Sequence, residues 1–155
     1  MQAEIRAAGV SDAQAILALQ RLAYSAEARI YNDWSIPPLT QTLDQLIEEL
    51  GTSYFLKAVL ADKLVGSVRA RLRGETCEIG RLIVHPDFQR RGLGRRLMQA
   101  IEGAFPAANR YELFTGSLSQ GNIRLYESLG YRRVRLQEVS AALTLVYMEK
   151  HRHDN

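Results

Sequence analysis

Apolar residues recur at three- and four-residue intervals in two early parts of the chain, residues 16–30 and 43–50. This spacing predicts two amphipathic helices. A capping-box pattern precedes each helix, with Ser11 and Gln14 before the first. Between the helices, the aromatic segment 31–40 contains adjacent prolines, which lack the amide donor that a helix needs. This segment is therefore predicted to be a loop.

The middle of the chain is predicted to form three consecutive antiparallel strands. Residues 54–61 and 64–72 are rich in branched apolar side chains, and the two residues between them suit a β-hairpin. A glycine-containing turn at 73–76 leads to a third apolar run, residues 77–84. A further short strand is predicted at residues 5–7.

Residues 77–105 combine a strand, a glycine-bearing loop and a helix that ends before Pro106. A strand at 110–115 and a helix at 123–129 follow, and this strand–helix–strand crossover predicts a parallel pair of strands. Residues 131–136 and 143–148 are predicted to be closing strands.

Together these elements predict an α/β fold of the α+β type: a mixed, mostly antiparallel sheet of six to seven strands with about four helices. The 155 residues suit one domain, assigned to residues 1–150, with a C-terminal tail at 151–155. No apolar run is long enough to cross a bilayer, and no signal segment opens the chain, so we expect a cytoplasmic protein without a membrane partner.

The net charge is +3, and seven arginines form two short clusters. Such clusters attract phosphate groups of either nucleic acids or small ligands. They comprise Arg90, Arg91, Arg95 and Arg96, and then Arg132, Arg133 and Arg135. The first cluster flanks a glycine loop at a helix start, which favours one small phosphorylated ligand over nucleic acid.

The loop reads Gln-Arg-Arg-Gly-Leu-Gly over residues 89–94. Two glycines two positions apart let the backbone approach a ligand, and the following helix directs unpaired amides at it, which suits a diphosphate. The dinucleotide-binding fingerprint is not met because Leu97 stands at its third glycine position. The Walker pattern also fails, since no GK[ST] follows.

With the strand before it, this loop resembles the pyrophosphate-binding motif of the Gcn5-related N-acetyltransferase (GNAT) superfamily, Gln/Arg-x-x-Gly-x-Gly/Ala. The order of elements is also similar, least so between Tyr31 and Gly51. The resemblance implies acetyl-coenzyme A as acyl-donor co-substrate and a splayed parallel strand pair where it binds. The implied cofactor-binding residues are Leu82, Ile83, Val84, Gln89, Arg90, Arg91, Gly92, Leu93, Gly94, Arg95, Arg96 and Asn122.

Glu78 is the candidate proton acceptor for an attacking amine. Strand alternation places its side chain on one face with Gly80, Leu82 and Val84, and the resemblance implies a glutamate at this offset from the loop in some family members. The competing interpretation is a cross-strand ion pair with Arg69 or Arg71.

Tyr126 is the candidate acid that protonates the departing thiolate, a role that the resemblance implies. Asn122 lies four residues earlier, on the same helical face. The alternative for Tyr126 is a tyrosine packed in the core. Cys77 has no histidine and carboxylate pattern nearby to activate it, so a covalent acetyl-cysteine is rejected, and no metal site is predicted.

The acceptor site is expected between residues 31 and 50, with Tyr31 and Trp34 as aromatic walls. Nearby acidic residues suit a cationic amine. The expected function is transfer of acetyl to a primary amine of a small molecule, peptide or protein. A non-catalytic acyl-coenzyme A-binding sensor or interaction module is the alternative, and the resemblance also allows a homodimer through the C-terminal strands.

Overall fold

The computed structural model describes residues 2–152, which form one seven-stranded sheet with helices on both faces. The strands are β1 (Glu4–Ala7), β2 (Tyr54–Leu60), β3 (Lys63–Arg73), β4 (Thr76–Val84), β5 (Arg110–Gly116), β6 (Arg132–Glu138) and β7 (Thr144–His151). The α-helices are α1 (Ala13–Tyr31), α2 (Pro37–Thr40), α3 (Leu43–Leu50), α4 (Leu93–Gly103) and α5 (Gln120–Ser128). Short 3₁₀ turns span Val10–Asp12 and Pro86–Phe88.

The strand order is β1-β2-β3-β4-β5-β7-β6, and every neighbouring pair is antiparallel except β4 with β5. This confirms the predicted mixed, mostly antiparallel sheet. The main apolar core lies between the sheet, α4 and α5, where Leu97, Met98 and Ile101 are fully buried. A smaller cluster lies on the opposite face, where Ile16 of α1 and Leu46 of α3 pack against Phe55 of β2.

The predicted helix starts differ in outcome. Thr42 caps α3 as predicted, because its Oγ1 accepts a hydrogen bond from the Gln45 amide at 3.2 Å and Gln45 Oε1 accepts one from the Thr42 amide at 2.9 Å. The Ser11 capping box before α1 was wrong, since the chain enters α1 through the Val10–Asp12 turn.

The loop prediction was also wrong at Pro37 and Pro38. They occupy the first positions of α2, where the missing amide donor is tolerated because those amides lack a helical partner in any case. The segment predicted to be only a loop therefore contains a short helix.

A β-bulge interrupts β4. Its register with β3 changes from Arg69 opposite Gly80 to Ser67 opposite Ile83, so β4 contains one extra residue there. Arg81 occupies the bulge with a φ of 51°, a left-handed conformation that is uncommon for a side chain of this size.

The bulge resets the alternation of side chains along β4. Leu82 and Val84 pack against the α4-side core, as Cys77 does before the bulge. Glu78 pairs instead with Arg71 on the other face of the sheet. The prediction that Glu78 shares a face with Leu82 and Val84 was therefore wrong.

The parallel strands separate before the bulge. Their register extends only from Thr76 opposite Arg110 to Glu78 opposite Glu112, although β4 continues to Val84 and β5 to Gly116. This confirms the predicted splayed pair and leaves the last part of β4 without a strand neighbour on its β5 side.

The C-terminal end is more ordered than predicted. His151 is the last residue of β7, and the Arg152 side chain donates to the carbonyl oxygens of Ala108 at 2.7 Å and Phe105 at 2.8 Å. The tail prediction was thus wrong for residues 151 and 152, while 153–155 lie outside the described residues. No helix between residues 2 and 152 is long and apolar enough to cross a membrane.

Candidate functional site

A cavity of about 540 Å³ opens at the end of β4, between the loop that precedes α4 and the facing sides of α1 and α5. The lining residues are Ala23, Tyr24, Glu27, Leu82, Ile83, Val84, Phe88, Gln89, Arg90, Gly92, Leu93, Gly94, Arg95, Gly121, Asn122, Arg124 and Leu125. Of the predicted cofactor-binding residues, all except Arg91 and Arg96 belong to this wall. The structure thus brings together most of a set that the sequence placed on three separate elements.

Residues 89–94, named here the glycine loop, turn the chain into α4. Arg90 and Gly92 both adopt left-handed conformations, with φ values of 63° and 78°. The first backbone hydrogen bond of α4 runs from the Arg96 amide to the Gly92 carbonyl oxygen at 3.1 Å. The amides of residues 93–95 therefore precede the helical hydrogen bonds and are available to an anion at the positive end of the helix dipole.

The four arginines around the glycine loop have different positions. Arg90 and Arg95 line the cavity, and Arg95 also donates to Ser128 Oγ at 2.6 Å. The Arg91 guanidinium lies 5.3 Å from the centre of the Phe88 ring. Arg96 donates to the carbonyl oxygen of Ala3 at 2.8 Å, which fixes the N-terminal segment to α4.

Glu27 is the one carboxylate among the cavity-lining residues that the structure describes. Its Oε2 accepts a hydrogen bond from Ser119 Oγ at 2.6 Å, and Asn122 Nδ2 lies 3.5 Å from its Oε1. Ser119 Oγ is in turn 2.8 Å from the Tyr31 hydroxyl, which accepts from the Leu118 amide at 2.9 Å. A chain of hydroxyl groups therefore holds this carboxylate at the cavity wall. The sequence gives no signal for this role of Glu27, because Glu27 and Tyr31 lie far from Ser119 along the polypeptide.

Tyr31 is buried, with 4% of its surface exposed, and it does not line the cavity. Its ring covers Gly116, where an added Cβ would lie only 2.0 Å from the tyrosine oxygen. Both polar contacts of its hydroxyl are within the protein, so its geometry does not support the predicted role as an acceptor wall. Trp34 is 53% exposed in the loop between α1 and α2 and is not among the cavity-lining residues, and its role stays a prediction.

Tyr126 is buried in the main core, and its ring makes an edge contact with Tyr131 at a centroid distance of 6.1 Å. Burial raises the pKa of Tyr126 well above its usual value, and nearby Tyr24 and Glu27 raise it further. The hydroxyl therefore keeps its proton at neutral pH. Within residues 2–152 its hydroxyl makes no hydrogen bond, yet it is not among the fully buried side-chain atoms that lack a partner, so it can donate to a ligand. Tyr126 is not among the residues that line the cavity.

Glu78 takes part in ion pairs on the sheet surface. Its two carboxylate oxygens accept hydrogen bonds from Arg71 Nε and Arg73 Nε, each at 3.1 Å. It is not among the residues that line the cavity. This is the cross-strand ion pair that was the competing interpretation of Glu78, with Arg71 rather than Arg69 as its partner on β3. Its role as proton acceptor stays a prediction.

Arg69 lies on the same sheet face under α1 and α3, with only 3% of its surface exposed. Its guanidinium donates to Glu49 Oε1 at 2.7 Å and to Gln20 Oε1 at 2.6 Å, and it lies 4.4 Å from the centre of the Phe55 ring. Burial lowers the pKa of Arg69, and Glu49 opposes that effect. The sequence gives no signal for the burial of Arg69, because its partners lie far apart along the chain.

Cys77 is completely buried in the main core. Burial raises the pKa of its thiol to about 12, and the carboxylates of Glu102 and Glu78 act in the same direction. A thiol that stays protonated and enclosed is a poor nucleophile.

Comparison with known proteins identifies a family. Residues 14–131 match the model of the acetyltransferase (GNAT) family. The chain is also 28% identical over 133 residues to the UPF0157 protein YqkA of Bacillus subtilis (strain 168), an alignment that covers 86% of this chain. It spans 38% of the length of that relative.

Solved structures share the fold over nearly the whole chain. The PaiA N-acetyltransferase from Thermoplasma acidophilum, in complex with coenzyme A, superposes with a TM-score of 0.77 at 18% identity, covering 97% of this chain and 99% of that one. The structure of yncA from Salmonella typhimurium with its cofactor acetyl-CoA superposes with a TM-score of 0.78 at 20% identity, covering 100% of this chain and 96% of that one. The ribosomal-protein-S18-alanine N-acetyltransferase from Escherichia coli superposes with a TM-score of 0.79 at 16% identity, covering 96% of this chain and 93% of that one.

Proposed function

Because the chain belongs to the acetyltransferase (GNAT) family, we propose that it is an N-acetyltransferase that moves acetyl from acetyl-coenzyme A directly to a primary amine. The observation that carries this proposal is the cavity at the end of β4. It combines a strand edge without a neighbour, helix amides before α4 and a carboxylate on α1. These are the groups that a thioester carrier and an attacking amine require.

The cavity wall suggests how the donor is held. The amides of residues 93–95 and the side chains of Arg90 and Arg95 would bind the pyrophosphate. The backbone of residues 82–84 would pair with the pantetheine arm on the side where β5 has separated, and Asn122 faces the same space. A backbone amide near Ile83 or Val84 would polarise the thioester carbonyl as negative charge develops on its oxygen.

In the transfer step, the amine nitrogen bonds to the acetyl carbon and the carbon–sulfur bond breaks. The nitrogen loses a proton to a carboxylate, and the Tyr126 hydroxyl gives a proton to the departing thiolate. Glu27 is our candidate for the carboxylate, because it lines the cavity and Ser119 fixes its position. Glu78 is the competing candidate, although two arginines hold it on the sheet surface.

Two matched variants separate these candidates. Glu27→Gln keeps the size of the side chain and removes its ability to accept a proton, so we expect kcat to fall about 100-fold, within the range for general bases. Glu78→Gln should change kcat less than about threefold, since it leaves the cavity wall intact. The reverse pattern, measured as coenzyme A thiol release with saturating acetyl-coenzyme A, would assign the role to Glu78.

The function itself is tested by binding and turnover together. Acetyl-coenzyme A at about 100 times its Kd should raise the free energy of unfolding by about 2.7 kcal/mol. An amine panel should then release coenzyme A. Stabilisation without release by any amine would favour the alternative, a non-catalytic acyl-coenzyme A sensor. Absence of stabilisation would contradict both functions.

A further inference from the structure

We propose that the acceptor amine carries a carboxylate, and that Arg81, supported by Arg69, binds this group on the α1 and α3 side of the β4 bulge. This inference rests on the proposed function and specifies its acceptor. Arg69 and Arg81 are named here the arginine pair. The expectation from the sequence was a site with acidic residues suited to a cationic amine, with no group that binds an anion.

The position of Arg81 is the first part of the evidence. It occupies the bulge three residues after Glu78, where the β4–β5 pairing ends, and Leu82 of the cavity wall follows it directly. Its neighbour Gly80 faces the same side, and a Cβ built there meets no atom within 4 Å. There is therefore room beside Arg81 for a small acceptor next to the separated strands.

The contacts of Arg81 are the second part. Its Nη1 lies 3.4 Å from Gln41 Oε1, a long hydrogen bond to a neutral group, and no ion pair within the described part of the chain includes it. The same amide oxygen also lies 3.4 Å from Arg69 Nη1 and accepts from Gln20 Nε2 at 3.0 Å. Three donors, two of them cationic, thus share one uncharged acceptor.

The charge balance of this cluster is the third part. Glu49 is the one carboxylate that contacts the arginine pair among residues 2–152, and its Oε1 accepts from Arg69 Nη1 at 2.7 Å and from Gln41 Nε2 at 2.8 Å. Two guanidinium groups against one carboxylate leave one positive charge in excess. Arg69 also has a buried Nε without a hydrogen-bond partner. Excess positive charge in a partly buried place favours an anion there.

Tyr24 links the arginine pair to the cavity. It lines the cavity wall. Burial raises the pKa of its hydroxyl, and the positive charges of Arg81 and Arg69 oppose that effect. An acceptor lying over Gly80 can therefore direct its carboxylate towards Arg81 and its amine towards the separated strands and Glu27. A guanidinium binds a carboxylate through two parallel hydrogen bonds, which also fixes the orientation of the amine.

The experiment compares matched acceptors that differ only in the anion. Three α-amino acids, leucine, methionine and phenylalanine, are each paired with the corresponding carboxamide, and coenzyme A release is measured with saturating acetyl-coenzyme A. We expect kcat/KM, corrected to the concentration of unprotonated amine, to be about 10- to 100-fold higher for the carboxylates, the range for charge-assisted hydrogen bonds.

Variants of Arg81 identify the source of this preference. Arg81→Met should bring the carboxylate-to-carboxamide ratio close to one, mainly by raising KM for the amino acids. Arg81→Lys keeps the positive charge but lacks the two parallel donors of a guanidinium, so it should retain part of the ratio. The matched control is Arg133→Met on β6, which removes an exposed arginine that pairs with Glu127 and should leave the ratio unchanged. Dividing the carboxylate-to-carboxamide ratio of the wild-type protein by that of a variant cancels the difference in amine basicity between the paired acceptors.

The outcomes are distinguishable. Amines acetylated without regard to the carboxylate, or a preference that survives in a folded Arg81→Met variant, would overturn this acceptor class while leaving the N-acetyltransferase function in place. Release only with polyamines would do the same. No release with any amine would contradict the proposed function itself, and this inference with it.

Discussion

The glycine loop and the arginine pair both present positive charge near the end of β4, but they do so by different means. The glycine loop relies on backbone amides before α4 and on exposed arginines, which water solvates when no ligand is present. The arginine pair has Arg69 almost completely buried and dependent on Glu49 and Gln20. A change in the glycine loop should therefore act mainly on ligand affinity, whereas a change in the arginine pair should act on stability and acceptor choice.

The largest expected effect is on stability. Arg69→Met leaves Glu49 and Gln20 without their partner under α1 and α3, so we expect the free energy of unfolding in urea to fall by about 3 kcal/mol. Arg71→Met is the control, because Arg71 lies two residues further along β3 with a side chain that is 60% exposed and pairs with Glu78. It should lose less than about 1 kcal/mol. Equal losses would remove the distinction between buried and exposed arginines.

The next effect separates two buried tyrosines. Tyr126→Phe should lower kcat by about 10- to 100-fold with little change in acetyl-coenzyme A affinity, because it removes the proton donor to the thiolate. Since burial raises the pKa of Tyr126, this donor should remain protonated throughout the pH range 6–9.

Tyr31→Phe should instead lower stability by about 1 to 2 kcal/mol, since Leu118 and Ser119 each lose a hydrogen bond, and leave kcat of the folded enzyme nearly unchanged. Unfolding in urea and turnover of the two variants distinguish these roles. A loss of kcat in Tyr31→Phe alone would place the proton donor in the hydroxyl chain to Glu27.

A smaller effect is expected in the glycine loop. Gly92→Ala places a side chain at a φ of 78° and should cost about 1 kcal/mol of stability, with weaker acetyl-coenzyme A binding as the helix start moves. Gly103→Ala, at the other end of α4, meets no atom within 4 Å and should be neutral or slightly stabilising. Calorimetric binding with both variants tests whether the affinity follows the loop conformation. Unchanged affinity in Gly92→Ala would argue against a role of these amides.

The smallest effect concerns Cys77. Its folded pKa of about 12 lies above the usual 9.0, so protonation favours the folded state below pH 9, and this contribution is lost as pH rises from 9 to 12. A disulfide reagent at pH 8 should label the denatured protein rapidly and the native protein very slowly. Rapid native labelling would permit an acetyl-cysteine intermediate and undermine direct transfer.

The sequence predicted the glycine loop well because its residues are consecutive. Glycine spacing, a turn and a helix start all lie within residues 85–97 and are visible without tertiary information. The arginine pair escaped prediction because its polar partners lie on α1, on α3 and at Gln41 between α2 and α3, and they meet only when these helices pack on the sheet. The bulge at Arg81 also had no local signal, since its residue is not glycine, and this led to the wrong face for Glu78.

On the proposal above, a single substitution at Gln41 would change the class of acceptor that the arginine pair favours. Its neutral amide oxygen is shared by both arginines and Gln20, and a single base change converts a glutamine codon to a glutamate codon. A carboxylate of nearly the same shape would cancel the excess charge, but it would also replace the amide that donates to Glu49 Oε1 at 2.8 Å with a second carboxylate oxygen. We expect this change to shift preference towards acceptors without an anion, while the glycine loop stays as it is. Gln41→Glu in the matched-acceptor assay would show whether such a change suffices. Relatives with this substitution would then differ in the acceptor that they acetylate while keeping the same acyl donor.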